Sequence, residues 1–164
     1  MSRIATHKQI VQLHESIVQY HKGLNGFCRF NWDELASSFR SGVETPALLL
    51  ESHSSELETN PNGSTSFNSR AISFMILDFA PADDYDKQEE ILDLTENICI
   101  DIISFLVQES KKQGSWFYGL FDIKSVKIEK VGPLWDSMYG WNVLYTIKNR
   151  EPMALDPEQW DFTT

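Results

Sequence analysis

The sequence predicts an α+β protein: an antiparallel sheet of about four strands, a long N-terminal helix and a long acidic amphipathic helix packed on it, and an extended hairpin arm. Three observations predict this fold. Two segments have helical spacing of apolar residues, four short segments have strand-like patterns, and turn signals separate them. A chain of 164 residues, 41% of them hydrophobic, is long enough for one core. We therefore expect a single domain over residues 1–151 and a C-terminal tail over residues 152–164.

The first helix is predicted over about residues 4–22 and is apolar on more than one side. One stripe, at spacings of three and four, comprises Ile10, Leu13, Ile17, Tyr20 and Leu24. A second stripe, at a spacing of seven, comprises Ile4, Val11 and Val18. The second stripe predicts that this helix contacts a neighbouring protein as well as its own sheet.

Three histidines lie between these stripes, also seven residues apart: His7, His14 and His21. Residues seven apart are separated by about 10.5 Å along a helix axis, too far to share one metal ion through short bonds. Partly buried or boundary positions therefore explain the three histidines better than a metal site, and no metal or cofactor is predicted.

The next elements are a short helix, a strand and a long polar hairpin. Asn31 is a natural N-cap for a helix over about residues 32–39. Residues 47–51 have the apolar run of a strand, and residues 71–79, apolar on both faces, belong in the middle of the sheet.

The polar stretch over residues 52–70 lies between these two strands and has an Asn-Gly turn signal at its centre. It predicts a long, mobile hairpin arm. Glu56, Asn62 and Gly63 are its candidate contact residues.

Most of the charge lies in one helix. Residues 83–110 hold nine acidic residues and one lysine, so this segment accounts for −8 of the net charge of −10. Pro81 and the aspartates that follow it favour a helix start, and Gly114 favours its end. Ile100 and Val107 interrupt the acidic side one heptad apart, where a helix with one solvated face needs no apolar residue. We interpret them as contacts to a second surface.

Two later strands complete the prediction. Residues 121–129 look extended, with a slip in the apolar phase that indicates a bulge between Ile123 and Val126. Residues 141–147 alternate cleanly. The C-terminal tail contains Trp160 and Phe162 among acidic residues, and these aromatic side chains are candidate contacts to a partner.

The sequence gives little indication of chemistry. It contains no P-loop, no dinucleotide-binding glycine pattern, no zinc-protease motif and no nucleophile elbow, so we predict that the protein is not an enzyme. Cys28 and Cys99 are too few for a disulfide framework and are expected to be reduced thiols in a cytosolic product. The net charge of −10 opposes phosphate binding. No signal peptide and no membrane-spanning run are evident, so no membrane partner is predicted.

The second half of the sequence resembles tail terminator (tail completion) proteins and related neck proteins of tailed bacteriophages. The resemblance covers about residues 45–148. It rests on the order of the strand at residues 72–78, the acidic helix and the strand at residues 123–129. It also rests on a closing loop of the form Asp-x-x-x-Gly-Trp, here Asp136 to Trp141.

This resemblance implies a structural virion protein. Family members form a ring, typically a hexamer, that caps the tail tube and joins it to the neck or head. The implied partners are further copies of the chain and the tail tube and neck proteins, with DNA only as passing cargo. The implied location is the virion tail or neck, after assembly in the cytoplasm of the bacterial host.

Two other classes of function remain open on the sequence. One is a small acidic inhibitor or immunity-type protein whose negative helix docks on a basic partner. The other is an enzyme with a dispersed active site.

Overall fold

The computed structural model describes residues 4–30, 42–135 and 137–161. The predicted helix over residues 32–39 lies outside these ranges, as do Asp136 and Phe162. The α-helices and strands of the described residues are, in chain order, α1 (His7–Tyr20), β1 (Gly26–Phe30), β2 (Ala47–Glu51), β3 (Ser54–Thr59), β4 (Ser66–Phe79), α2 (Tyr85–Glu109), β5 (Phe121–Leu134) and β6 (Met138–Arg150). A 3₁₀ turn at Pro157–Gln159 lies in the C-terminal tail.

The fold is mixed α+β, and the prediction of an antiparallel sheet of about four strands is wrong. The described residues form one six-stranded sheet in the order β1-β2-β4-β6-β5, with β3 also paired to β4. β1 runs parallel to β2, and the remaining pairs are antiparallel. Residues 31–46 connect β1 to β2 and are numerous enough for the crossover that parallel neighbours require. β1 was not predicted and β3 was assigned to the hairpin arm and not to the sheet, because neither has a clean apolar alternation.

The hairpin is part of the sheet, which corrects the prediction of an extended arm. β3 and β4 pair antiparallel on either side of a turn at residues 60–65, as the Asn-Gly signal indicates. However, β6 pairs with the other edge of β4 as far as the Phe67–Arg150 pair, so the sheet here is three strands wide. The sequence suggested a separate arm because the side chains buried here are polar.

The helices cover one face of the sheet and form the main core with it. α1 contributes Ile10, Leu13 and Ile17, and α2 contributes Ile98, Ile102 and Leu106. These side chains pack on alternate residues of the central strands, among them Phe74 and Tyr145, which are fully buried. A second, smaller cluster on the opposite face contains Ala47, Leu49, Met75, Leu77 and Met138. Residues 74–77 are therefore buried on both sides, as predicted for a central strand.

Local sequence signals set the start of each helix. Thr6 caps α1 in a capping box: its hydroxyl accepts from the Gln9 amide at 3.3 Å, and its own amide donates to the Gln9 side chain at 2.8 Å. This cap makes α1 shorter than the predicted range of residues 4–22. Asp84 caps α2 by accepting from the Lys87 amide at 2.9 Å. No helix in the described ranges is long and apolar enough to cross a membrane.

The later strands have the predicted irregularity. The register of β5 against β6 shifts between Asp122 and Lys127, which confirms the bulge inferred from the apolar phase. β5 continues past the predicted end to Leu134, with a second shift after Val131. Gly132 has φ of 111° there, in a region that disfavours other residues.

Candidate protein interfaces

The second apolar stripe of α1 belongs largely to the core of this chain. Val11 is buried, and Val18 is partly buried against the same core cluster. Ile4 precedes the helix and is 48% exposed. The residues of the stripe differ in burial because the side of α1 that lies against β1 and β2 is broad. This side includes Val11 as well as Ile10. Of the three predicted residues, Ile4 has the largest exposed fraction.

Ile100 lies on the outer side of α2, among carboxylates. Its side chain is 48% exposed, whereas Val107 is partly buried. Asp93 and Glu96, two turns and one turn before Ile100, are exposed on the same side of the helix. We call Asp93, Glu96, Ile100 and Val107 the α2 outer surface. Leu94 and Phe105 are also exposed on α2, on the side where Asp101 approaches His21 at 3.4 Å.

Most acidic side chains at residues 83–110 form no ion pair with the residues that the structure describes. Glu90 pairs with Lys87 at 3.1 Å, and Glu109 approaches Lys112 at 3.8 Å. Within the described residues, Asp83, Asp84, Asp86, Glu89, Asp93 and Glu96 form no ion pair. The α2 outer surface thus combines an exposed apolar side chain with two carboxylates, Asp93 and Glu96, that form no ion pair in the part of the chain that the structure describes.

The hairpin turn, the N-terminal segment and the tail meet around one depression. It has a volume of about 580 Å³, and Ile4, Gly63 and Met153 contribute to its wall. The fold therefore brings together Ile4 and Gly63, two predicted contact residues from distant parts of the sequence. We call this depression the tail groove. Asn62, beside Gly63 in the turn, and Glu56 in β3 are both exposed.

The C-terminal tail is exposed over all of its described residues, 152–161. Met153, Leu155 and Trp160 are its large apolar side chains, and Trp160 is 59% exposed. Three acidic residues accompany them: Asp156, Glu158 and Asp161. Of these side chains, Met153 shares the wall of the tail groove with Ile4.

A buried polar network beneath the hairpin was missed by the sequence reasoning. Arg70 donates to the Asn149 side-chain oxygen and lies 3.6 Å from Glu151. Asn68 donates to the same Glu151 carboxylate at 3.4 Å. All four side chains are at least nine-tenths buried. The sequence indicates this network by polar residues at alternate positions, Asn68 and Arg70 in β4 and Asn149 and Glu151 around the end of β6. An apolar core would otherwise continue at these positions.

The three histidines of the N-terminal stripe have three different environments. His7 stacks on His53 with ring centroids 5.3 Å apart, and His21 faces Asp101. His14 is fully buried. Burial, together with the neighbouring charges of His7 and Arg70, lowers the pKa of His53.

His14 makes two hydrogen bonds that set its tautomer. Its Nδ1 lies 2.8 Å from the Ile10 carbonyl oxygen, so this nitrogen carries the proton and donates. Its Nε2 then accepts from the Tyr145 hydroxyl at 3.3 Å. Burial lowers the pKa of His14 to about 4 and raises that of Tyr145. His14 is therefore a neutral polar link between α1 and β6.

The described residues contain no group of three or more metal-ligating side chains. Cys99 is buried in the main core, and burial with the nearby Glu96 charge raises its pKa to about 12, which is unfavourable for a nucleophile. Cys28 is half-buried at the second cluster.

A lysine-rich edge of the sheet is a further surface that sequence reasoning did not single out. β5 ends the strand order, so one side of it has no neighbouring strand in the part of the chain that the structure describes. Lys124, Lys127 and Lys130 are exposed on it, beside Ile123, which is 57% exposed. We call these four residues the lysine edge.

The fold and these surfaces define an α+β protein with a mixed sheet, helices on one face, and exposed apolar side chains on α2 and in the tail. No protein-family model matches the sequence, and no curated protein is significantly similar to it.

Proposed function

We propose that this chain is a structural protein of a bacteriophage virion, a tail terminator whose copies form a ring. The ring caps the tail tube and joins it to the neck or head. The proposal starts from the resemblance over residues 45–148 and is supported by the surfaces described above.

The supporting observation is that two separate regions of the chain, among the places where large apolar side chains are exposed, carry predicted contact residues. One is on the α2 outer surface around Ile100, and the other comprises Ile4 and the tail residues Met153, Leu155 and Trp160. Exposed apolar patches on soluble proteins often mark contact sites. A ring subunit at the end of a tube needs two kinds of contact, one to the next copy and one to the tube or neck. We assign α2 to the neighbouring copy and the tail groove region to the tube or neck.

The acidic side chains outside the α2 outer surface, among them Asp83, Asp86 and Glu89, fit a passage for DNA. Carboxylates do not hold phosphates, so DNA slides past an acidic wall without the contacts that arrest it on basic proteins. In this proposal DNA is cargo and not a ligand.

The test is binding to purified tail tubes that lack their terminator. We expect the chain to attach to one end of each tube as a ring, visible by negative-stain electron microscopy, and to allow heads to join those tails. A variant with Met153, Leu155 and Trp160 replaced by serine is the matched control. It should fold normally, because all three side chains are exposed, yet lose end binding. Tubes that stay bare with the unmodified chain would refute the proposal.

One observation favours a second candidate function. Six acidic residues between positions 83 and 96, named above, form no ion pair within the described residues. Their negative charge is typical of an inhibitor that docks on a basic enzyme. This candidate predicts tight, salt-sensitive binding to a basic nuclease and no attachment to tubes. Titrating the nuclease by calorimetry at low and high salt distinguishes the two.

A further inference from the structure

Two surfaces of the chain are opposite in net charge: the α2 outer surface carries Asp93 and Glu96, whereas the exposed charged residues of β5 are three lysines and two carboxylates, Asp122 and Glu129. On the α2 outer surface, Asp93 and Glu96 have no cation within the described residues. On the lysine edge, Lys124, Lys127 and Lys130 form no ion pair in the same part of the chain. Each surface also carries an isoleucine that is about half exposed.

The two surfaces lie on different elements and form no ion pair with one another among the described residues of one copy. α2 packs on β4 and β6 through its buried side, so its outer surface points away from the sheet. The lysine edge lies on β5, at the end of the strand order.

We propose that the α2 outer surface of one copy docks on the lysine edge of the next copy. Each copy then offers carboxylates to one neighbour and ammonium groups to the other, and Ile100 packs near Ile123. Contacts between two different surfaces are head-to-tail, and they close into a ring when the rotation per copy allows it. This assignment deepens the proposed function by naming the partner of α2, and it rests on that function only for the closure of the ring.

An edge strand rich in lysine has another explanation, since lysine protects open edges from pairing with other strands. The two explanations differ in their response to salt. Each copy carries a net charge of −10, so an association driven by apolar contact alone becomes stronger when salt screens this repulsion. An association held by Asp93 and Glu96 against lysines becomes weaker. We expect sedimentation velocity to show weaker assembly of the full chain as salt is raised.

Charge reversal gives the decisive test. One variant carries Asp93→Lys with Glu96→Lys, and another carries Lys124→Glu with Lys127→Glu. Each alone should weaken self-association about 100-fold, because two attractive contacts become repulsive. The chain with all four substitutions should assemble again, and its net charge is still −10, so a general charge effect is excluded.

Mixing the two non-assembling variants should also restore assembly, as alternating copies. The matched control is Lys8→Glu with Lys22→Glu, which changes the net charge as the lysine-edge variant does, at exposed residues on another surface. This control should assemble normally. Thermal unfolding of every variant verifies the fold.

The inference is overturned if the unmodified chain stays monomeric at low salt up to its highest soluble concentration. It is also overturned if neither reversal weakens assembly, or if the fourfold variant fails to recover while it remains folded. A ring that forms as described but leaves tubes bare would refute the terminator function and leave this contact intact. If both reversed variants still bind tubes and their self-association is unchanged, this contact would be refuted and the terminator function would stand.

Discussion

His14 makes the stability of this protein sensitive to mild acid. The side chain is fully buried and has a pKa of about 4, against 6.5 for an unperturbed histidine. Between these two values the unfolded chain binds a proton that the folded chain does not, so acid favours unfolding. The contribution of His14 is fully present above pH 6.5, decreases as the pH falls and is lost by about pH 4.

The magnitude follows from the shift. Each pKa unit corresponds to about 1.4 kcal/mol, so the full loss is about 3 kcal/mol. Between pH 7 and pH 5, the same pKa values give a loss of about 2 kcal/mol in the free energy of unfolding. This is a large part of the stability of a typical domain. The lowered pKa of His53 adds a contribution of the same sign.

The assay compares urea unfolding of two proteins at pH 7 and pH 5. The first is the unmodified chain, and the second carries His14→Leu with Tyr145→Phe. The double substitution is needed because removing His14 alone leaves the Tyr145 hydroxyl buried without its partner, which costs about 1–3 kcal/mol. We expect the unmodified chain to lose about 2 kcal/mol more than the variant between the two pH values. The contribution of His53 is present in both proteins and cancels in the difference.

Equal losses in the two proteins would refute this account of His14. The same conclusion would follow if the His14 ring titrated near pH 6.5 in the folded protein, as followed by NMR.

Four further predictions concern assembly and packing. Ile100→Asp should change the free energy of unfolding by less than about 1 kcal/mol, because the side chain is half exposed. The same substitution should block self-association. An unchanged oligomer in sedimentation would contradict the role of α2. Replacing residues 60–65 by Asn-Gly should preserve the β3–β4 pairing and impair the joining of tails to heads; normal infectious particles would remove the turn from the mechanism. Gly140→Ala should destabilise by about 3 kcal/mol or prevent folding, since its methyl group would overlap the backbone of β4; urea unfolding with a wild-type midpoint would contradict this. Arg70→Met should lower the free energy of unfolding in urea by about 3 kcal/mol, and adding Glu151→Gln should recover most of this loss. Unchanged stability of the Arg70→Met variant would show that the pair is not buried.

The sequence predicted elements that have a strong period or a specific turn. The amphipathic pattern located α2, alternation located the apolar side of β6, and the phase slip located the β5 bulge. It failed at β1, and it assigned β3 to a separate arm and not to the sheet. β3 is exposed at every position and is held by backbone pairing to β4, so its side chains carry no burial pattern.

The candidate contact residues divide for a similar reason. Spacing placed Val11 and Val18 in a second stripe, but the breadth of the buried side of α1 depends on how the helix lies on the sheet, which spacing does not define. Ile100 was located because it interrupts a polar surface. The Arg70–Glu151 pair and the tail groove join residues about 60 to 150 positions apart, and only tertiary structure brings them together.

The loop that carries the family resemblance has a structural explanation in the residues described. Gly140 lies where a side chain would overlap the Ile76 carbonyl oxygen, so close contact between β6 and β4 requires glycine. The Trp141 indole donates to the Leu92 carbonyl oxygen at 2.9 Å and ties β6 to α2.

These two positions therefore report how the second half of the chain packs, and not which surface binds a partner. Proteins that share the loop can share the packing and differ in what they contact. The distinction between a tail terminator and an acidic inhibitor depends instead on side chains outside the loop, namely those around Ile100, on the lysine edge and in the tail. Variants at those surfaces, and not at the loop, decide the function.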